Sequence, residues 1–253
     1  MKRRAGRPTI VVAGLGLIGG SIARGLSRAG WRVLGVDRPA PLRAARAARA
    51  ITRGYESVEE AAREADVVVL AAPPAANRAL LRRLARLPAP PVVTDVGSVK
   101  GPICAEAGRL GLARFVGGHP MAGAETAGFA ASRAGLFEGR AWILVHAPAA
   151  GAAARGVRAL VRALGARAVR MEAAEHDRVM AFLSHVPQVV AWALWRAAAA
   201  DPVTRRHLGV AGPGFAAMTR LARSPRRLWD GILAENRAEL RRALSAFRRA
   251  LAP

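Results

Sequence analysis

The run Ile10-Val-Val-Ala-Gly14-Leu-Gly16-Leu17-Ile18-Gly19-Gly20-Ser21 constrains this chain more than any other stretch. A short β-branched segment passes directly into glycines spaced G-x-G-x-x-G and then into a helix-forming segment. Such a junction is a buried strand, a tight turn and a helix. Gly14 permits the turn, Gly16 lets the backbone approach a pyrophosphate, and Gly19 lets helix and strand pack closely. The pyrophosphate would rest on the helix N-terminus, where free N–H groups and the dipole favour negative charge. Leu17 and Ile18 belong to the same cofactor-binding turn. Asp37 ends the next expected strand, eighteen residues after Gly19. Its carboxylate is placed to bond ribose hydroxyls, which favours NAD over NADP. Arg38 beside it can accept a 2′-phosphate, so NADP stays open.

The pattern continues downstream. Thr9–Ala13, Arg32–Asp37, Val67–Ala71, Val92–Asp95, Phe115–Gly118, Trp142–Val145 and Arg167–Met171 read as strands. Leu17–Ala29, Ala75–Leu87 and Val157–Leu164 read as helices among them. This alternation predicts an α/β fold, with a Rossmann-type parallel sheet covered by helices on both faces. After about Glu172 the strand signals stop. Residues 173–253 read as helices, broken near Asp201-Pro202, Gly212–Gly214 and Ser224-Pro225. The expected organisation is a dinucleotide-binding domain over 1–172 and an all-helical substrate and dimerisation domain over 173–253.

The formal charge of +23 invites a nucleic-acid reading. Its make-up argues against one. Of the 40 basic residues, all but Lys2 and Lys100 are arginine, and they are spread over every element. Arg43, Arg46 and Arg49, like Arg82, Arg83 and Arg86, have the spacing of solvated helix faces. No apolar run approaches the roughly 18–20 residues needed to cross a bilayer. The N-terminus is basic and then apolar, as in a signal peptide, but the apolar stretch is short and carries the glycine fingerprint. A soluble cytoplasmic protein is expected. Cys104 is the single cysteine, so no intrachain disulfide can form and no metal site is expected.

Three further segments carry chemistry-bearing residues. Thr94-Asp-Val-Gly97-Ser98-Val-Lys100 and Val116-Gly-Gly-His119-Pro-Met-Ala-Gly123-Ala-Glu125 both leave strands at the C-terminal sheet edge, where α/β proteins bind ligands. Phe182-Leu-Ser184-His185-Val-Pro187-Gln188 lies in the helical half, with a proline inside an apolar helical stretch. With GLGLIGGS before them and GPGFAAMTRLARSPRRLW, then Glu235-Asn236, after them, these segments resemble the prephenate/arogenate dehydrogenase family through nearly the whole chain.

That resemblance implies an NAD(P)-dependent oxidative decarboxylation in tyrosine biosynthesis: prephenate gives 4-hydroxyphenylpyruvate, or arogenate gives tyrosine. His119 matches the catalytic histidine, whose imidazole suits proton transfer near neutrality. Ser98 matches the residue that orients it. Arg220 matches the arginine that holds a substrate carboxylate with its planar fork of donors. His185 and Trp229 match the wall of the substrate pocket, and Gly123 and Glu125 belong to its loop. Both halves are thus expected to contribute to the substrate site. Ala124 stands where the family usually has Ser or Thr, and Ala216-Ala217-Met218 replaces a stretch that often carries Asp. Both departures bear on the choice between the keto-acid and amino-acid side chain. No appended regulatory domain is expected.

Other residues draw plainer readings. Lys100 is expected either at cofactor or substrate or solvated on its loop. His176 lies nine positions before His185, about 900° on one continuous helix, so the two are expected on opposite sides and His176 to be structural. His146 and His207 read as surface or structural. Trp192 and Trp195, three apart on an apolar helix, suggest core or a subunit contact and thus a homodimer. A dehydrogenase of similar layout for a β-hydroxy acid or an imine accounts for the glycine fingerprint but not for His119 with Ser98.

Overall fold

The computed structural model describes residues 8–124, 126–146 and 150–251. The chain divides into two compact units, 1–173 and 174–253.

Unit 1 is built on an eight-stranded sheet in the order β3-β2-β1-β4-β5-β6-β7-β8. Its strands are β1 (Thr9–Ala13), β2 (Arg32–Val36), β3 (Arg53–Tyr55), β4 (Val67–Leu70), β5 (Val92–Asp95), β6 (Phe115–Pro120), β7 (Ala141–Val145) and β8 (Arg167–Arg170). Helices α1 (Leu17–Arg28), α2 (Pro39–Ala47), α3 (Val58–Ala62), α4 (Pro74–Ala85), α5 (Gly101–Arg109) and α6 (Gly151–Ala163) connect them. The unbroken apolar runs follow from burial on both faces. In β1, Ile10 and Val12 join one core cluster, with Ile22, Leu26, Val157 and Leu160. Val11 and Ala13 point the other way, into a second cluster with Val58, Leu81 and Ile103. Side chains alternate across a strand, so a strand sandwiched between helix layers needs no polar position.

One expectation requires correction. The sheet is not wholly parallel: β7 runs antiparallel to β6, with His119 opposite Ile143 and Pro120 opposite Trp142. Between these strands the described residues form only a 3-10 turn, Phe129–Ala131, and no α-helix. Without a crossover helix the chain returns in the opposite sense. Helix α6 then restores a parallel pairing between β7 and β8. The short edge strand β3 and helices α3 and α5 were not legible in the sequence, and α2 showed only in the spacing of Arg43 and Arg46, Arg49 lying beyond its end. Strand β3 reads Arg-Gly-Tyr and carries almost no strand signal.

Unit 2 is helical: α7 (Ala173–Met180), α8 (Val186–Ala200), α9 (Pro202–Arg206), α10 (Pro213–Thr219), α11 (Arg226–Glu235) and α12 (Arg237–Leu251). A π-helical turn, Ala181–His185, joins α7 to α8. Its small core gathers Ala181, Val186, Leu240 and Ala243. Among the described residues no helix is long and apolar enough to cross a membrane.

Candidate active site

The glycine turn sits where the strand order reverses, between β1 and β4, the usual ligand crevice of an open α/β sheet. Gly14 has φ of +99°, and a Cβ there would lie 2.6 Å from the Ala71 carbonyl carbon at the end of β4. Its N–H donates to the Val36 carbonyl at 2.9 Å. The turn is therefore held between β2 and β4 and admits no side chain. A Cβ on Gly19 would stand 1.8 Å from the Gly14 oxygen, so α1 packs directly on the turn. Gly16 differs. It caps α1 in an extended conformation, and no atom lies within 4 Å of where its Cβ would be. Open space in front of a helix N-terminus that carries no acidic side chain suits a phosphate. Leu17 and Ile18, half-buried, form the first helical positions.

Asp37 follows β2. One carboxylate oxygen accepts the Leu15 N–H at 2.6 Å, and the other accepts the Arg38 N–H at 2.7 Å. The carboxylate thus braces the glycine turn and remains half-exposed. Arg38 is exposed beside it. An open Gly16, a braced turn and an acid at the end of β2 fit a dinucleotide.

Strands β5 and β6 pair in parallel, so their C-terminal ends reach the same sheet edge as the glycine turn. Ser98, half-buried, lies three residues past β5, and His119 stands near the end of β6, 7% exposed. Gly123 and Ala124 follow in an exposed loop, and Glu125 lies outside the described residues.

Beneath this edge lies a feature the sequence reading missed. Lys100 is neither solvated nor at the surface: it is wholly buried and forms an ion pair with Asp95, itself buried. The Lys100 ammonium also donates to the Gly118 carbonyl at 2.8 Å. The Asp95 carboxylate accepts the Gly118 N–H at 3.1 Å and the Gly97 N–H at 2.8 Å. A signal was present in the composition. In a chain whose basic residues are otherwise nearly all arginine, a lysine inside the DVGSVK segment stands out, and an ammonium fits a compact buried site better than a guanidinium.

In unit 2, His185 is wholly buried at the end of the π-helical turn. Such turns are inserted irregularities often found at functional sites. The Asn236 amide nitrogen donates to the Asp177 carbonyl at 2.7 Å and approaches His185 Nδ1 at 3.2 Å. An amide nitrogen only donates, so Nδ1 accepts and the His185 proton is assigned to Nε2. Among the described residues Nε2 is buried with no hydrogen-bond partner. Burial lowers the His185 pKa to about 4, against the opposing pull of Asp177 and with help from His176. The ring is therefore neutral at pH 7 and presents an N–H.

Trp229 meets His185 edge to face, with centroids 6.2 Å apart, and Trp192 at 6.3 Å. His176, expected to be structural, is enclosed by the fold. It too is wholly buried, and its Nδ1 lies 2.7 Å from Asp177 Oδ1. The π-helical turn breaks the regular 100° step on which the opposite-side argument relied. Arg220, exposed, opens the 3-10 turn Arg220–Arg223. Gln188, wholly buried, holds that turn by donating to the Leu221 carbonyl at 2.7 Å.

Unit 1 thus gathers the glycine turn, Asp37, Ser98 and His119 at one sheet edge. Unit 2 gathers His185, Trp229 and Asn236, and Arg220 opens the turn that Gln188 holds. An apolar hollow of about 400 Å³ in unit 2 is lined by Val203, Thr204, His207, Leu208, Val210 and Phe215 among others, and by none of the nominated residues.

Comparison with known proteins gives one answer for both units. Residues 22–170 match the family described as prephenate dehydrogenase, nucleotide-binding domain, and residues 172–252 match prephenate dehydrogenase, dimerization domain. Prephenate dehydrogenase of Lactococcus lactis is 33% identical over 90% of this chain, which spans 64% of that relative's length. The crystal structure of prephenate dehydrogenase from A. aeolicus, in complex with hydroxyphenyl propionate and NAD+, superposes with a TM-score of 0.90 at 29% identity, covering 98% of this chain and 90% of that one. Synechocystis arogenate dehydrogenase superposes with a TM-score of 0.82 at 28% identity, covering 96% and 89%. Two family matches in order along nearly the whole described chain establish that it belongs to the prephenate dehydrogenase family.

Proposed function

We propose that this chain is an NAD-dependent dehydrogenase that converts prephenate to 4-hydroxyphenylpyruvate and carbon dioxide, in the formation of tyrosine. The observation that carries the reading is the placement of His119 and Ser98 on the same sheet edge as the glycine turn braced by Asp37. The two prephenate dehydrogenases it resembles, one of them with NAD+ bound, support it.

Gly14, Gly16, Gly19 and the N-terminus of α1 would hold the pyrophosphate, and Asp37 the ribose. Bound NAD supplies the acceptor for hydride. His119 takes the proton of the ring hydroxyl as the hydride departs, and Ser98 orients the imidazole. The ring carboxylate leaves as carbon dioxide, its bonding pair completes the aromatic ring, and the ring oxygen takes the proton back from His119 to give the phenol. Arg220 holds the side-chain carboxylate, while His185, as a neutral donor, and Trp229 form the wall. Gly123 and Glu125 complete the loop after His119. Arogenate is the second reading, favoured by the Synechocystis neighbour; Ala124, which removes a hydroxyl from that loop, bears on the choice without deciding its direction. NADP remains the alternative cofactor because Arg38 stands exposed beside Asp37.

We also infer a homodimer formed by unit 2. Val203 (58% exposed), Val210 (82%) and Met218 (59%) leave its surface unusually apolar, and the matched region is described as a dimerization domain. A cytoplasmic location goes with this reading.

The test is reduced-cofactor production from prephenate and from arogenate, each with NAD and with NADP. Turnover of prephenate with NAD is expected. Turnover of arogenate alone corrects the substrate, and silence in all four from protein that binds NAD refutes the reading. His119→Asn should lose turnover far more than affinity, because only interactions made in the transition state raise the rate. Arg220→Gln should chiefly raise KM.

A further inference from the structure

We propose that the buried Asp95–Lys100 pair is a positioning device for His119 and Ser98, fixing both at one geometry. The inference rests on His119 acting as the proton acceptor.

Three hydrogen bonds tie the pair to the two segments that carry chemistry. On the His119 side, the Gly118 carbonyl accepts from Lys100 at 2.8 Å and the Gly118 N–H donates to Asp95 at 3.1 Å. Both polar groups of the residue preceding His119 are thereby fixed by side chains rather than by the strand ladder alone. On the Ser98 side, Asp95 accepts the Gly97 N–H at 2.8 Å, and Lys100 itself lies two residues beyond Ser98. Ser98 is therefore bracketed by groups bound to the same pair. The ion pair couples the end of β5 to the end of β6 through charge-assisted bonds.

The site accepts little else. A Cβ on Gly118 would lie 2.4 Å from the Asp95 carbonyl oxygen and 3.0 Å from Trp142 Nε1. Lys100 is 0% exposed, so its ammonium is placed by the cavity as much as by its bonds. A buried ion pair is a weak device for stability, because desolvation offsets most of the attraction. What it does supply is orientation. Here the oriented objects are His119, which must meet the substrate hydroxyl, and Ser98, which orients its imidazole. Neither Asp95 nor Lys100 is assigned contact with substrate.

The test uses the full chain with Asp95→Asn and with the neutral pair Asp95→Asn/Lys100→Met, which leaves no unpaired buried charge and so keeps the fold accessible. Three quantities are read: kcat against KM for prephenate, the pH profile of kcat, and the titration of the His119 ring protons by NMR. In the neutral pair, kcat should fall on the order of 10- to 100-fold, the loss that a misplacement of about 1 Å brings. NAD affinity and KM should stay within about twofold, the pH profile should move, and the His119 resonance should shift or broaden. A merely structural pair would lower thermal stability and leave kcat, the pH profile and the His119 titration of the folded protein unchanged; that result overturns the proposal. If the wild-type chain turns over no substrate, the functional reading fails separately. The His119 titration then decides the positioning alone: a changed titration in either variant supports it, and superimposable curves overturn it.

Discussion

Replacing His185 with Gln removes a ring that the fold holds neutral, and the consequence can be read from its surroundings. In the native chain burial brings its pKa to about 4 from an ordinary 6.5; the Asp177 charge partly opposes this and His176 adds to it. The folded state therefore refuses a proton that the unfolded chain accepts between those two values. Stability that is fully present above pH 6.5 is lost as pH falls toward 4. The gap corresponds to about 3 kcal/mol, at roughly 1.4 kcal/mol per pKa unit. His185→Gln has no such proton to refuse, so this share of the acid loss disappears in the variant. At neutral pH the variant should be the weaker protein, since Asn236 loses its ring acceptor and the Trp229 edge contact goes. The two stability curves should converge by about 3 kcal/mol between pH 6.5 and 4. Hydrogen exchange of amides in α8 and α12 reads this opening within unit 2, without requiring the whole chain to unfold in one step. Curves that stay parallel across that window would show that His185 titrates near its ordinary value, and the assignment of a neutral Nε2–H donor would fall with it.

Other predictions concern the sheet edge. Gly16→Ala should leave thermal stability within about 1 kcal/mol, since nothing stands near the new methyl group, yet weaken NAD binding at least about tenfold by filling the pyrophosphate approach. Gly14→Ala should instead destabilise the protein itself, by about 2 kcal/mol or more, through its positive φ and the Ala71 backbone; thermal melts without cofactor separate the two. Asp37→Asn keeps an oxygen for the Leu15 N–H but removes the charge. It should raise KM for NAD several-fold and improve the NADP/NAD ratio, and an unchanged ratio would remove Asp37 from cofactor choice. His119→Asn should lower kcat by about 100-fold or more with substrate affinity largely kept, checked by steady-state kinetics beside equilibrium binding.

Much of this molecule was legible because its signals are local. The glycine spacing after an apolar strand demands a strand, turn and helix wherever it occurs. The alternation of β-branched runs with Ala/Leu/Arg stretches demands a layered α/β unit, and the end of that alternation marks where the helices take over. Strand sense between β6 and β7 was not local: it depends on what the connection lacks, and a stretch without a helix resembles any loop. The surroundings of Lys100 and His176 were not legible for a related reason. Sequence spacing gave Lys100 a loop and His176 a helix face, but only the pairing of β5 with β6 brings Gly118 over the Asp95 carboxylate, and only the π-helical turn resets the step between His176 and His185. The chain alone determined which residues are able to carry proton, carboxylate and phosphate chemistry, because residue type fixes those capacities. The tertiary structure decided which of them are buried, neutral or paired, because dielectric and hydrogen-bond partners come from residues distant in sequence: Asn236 for His185, Gly118 for Lys100, and the Leu15 backbone for Asp37.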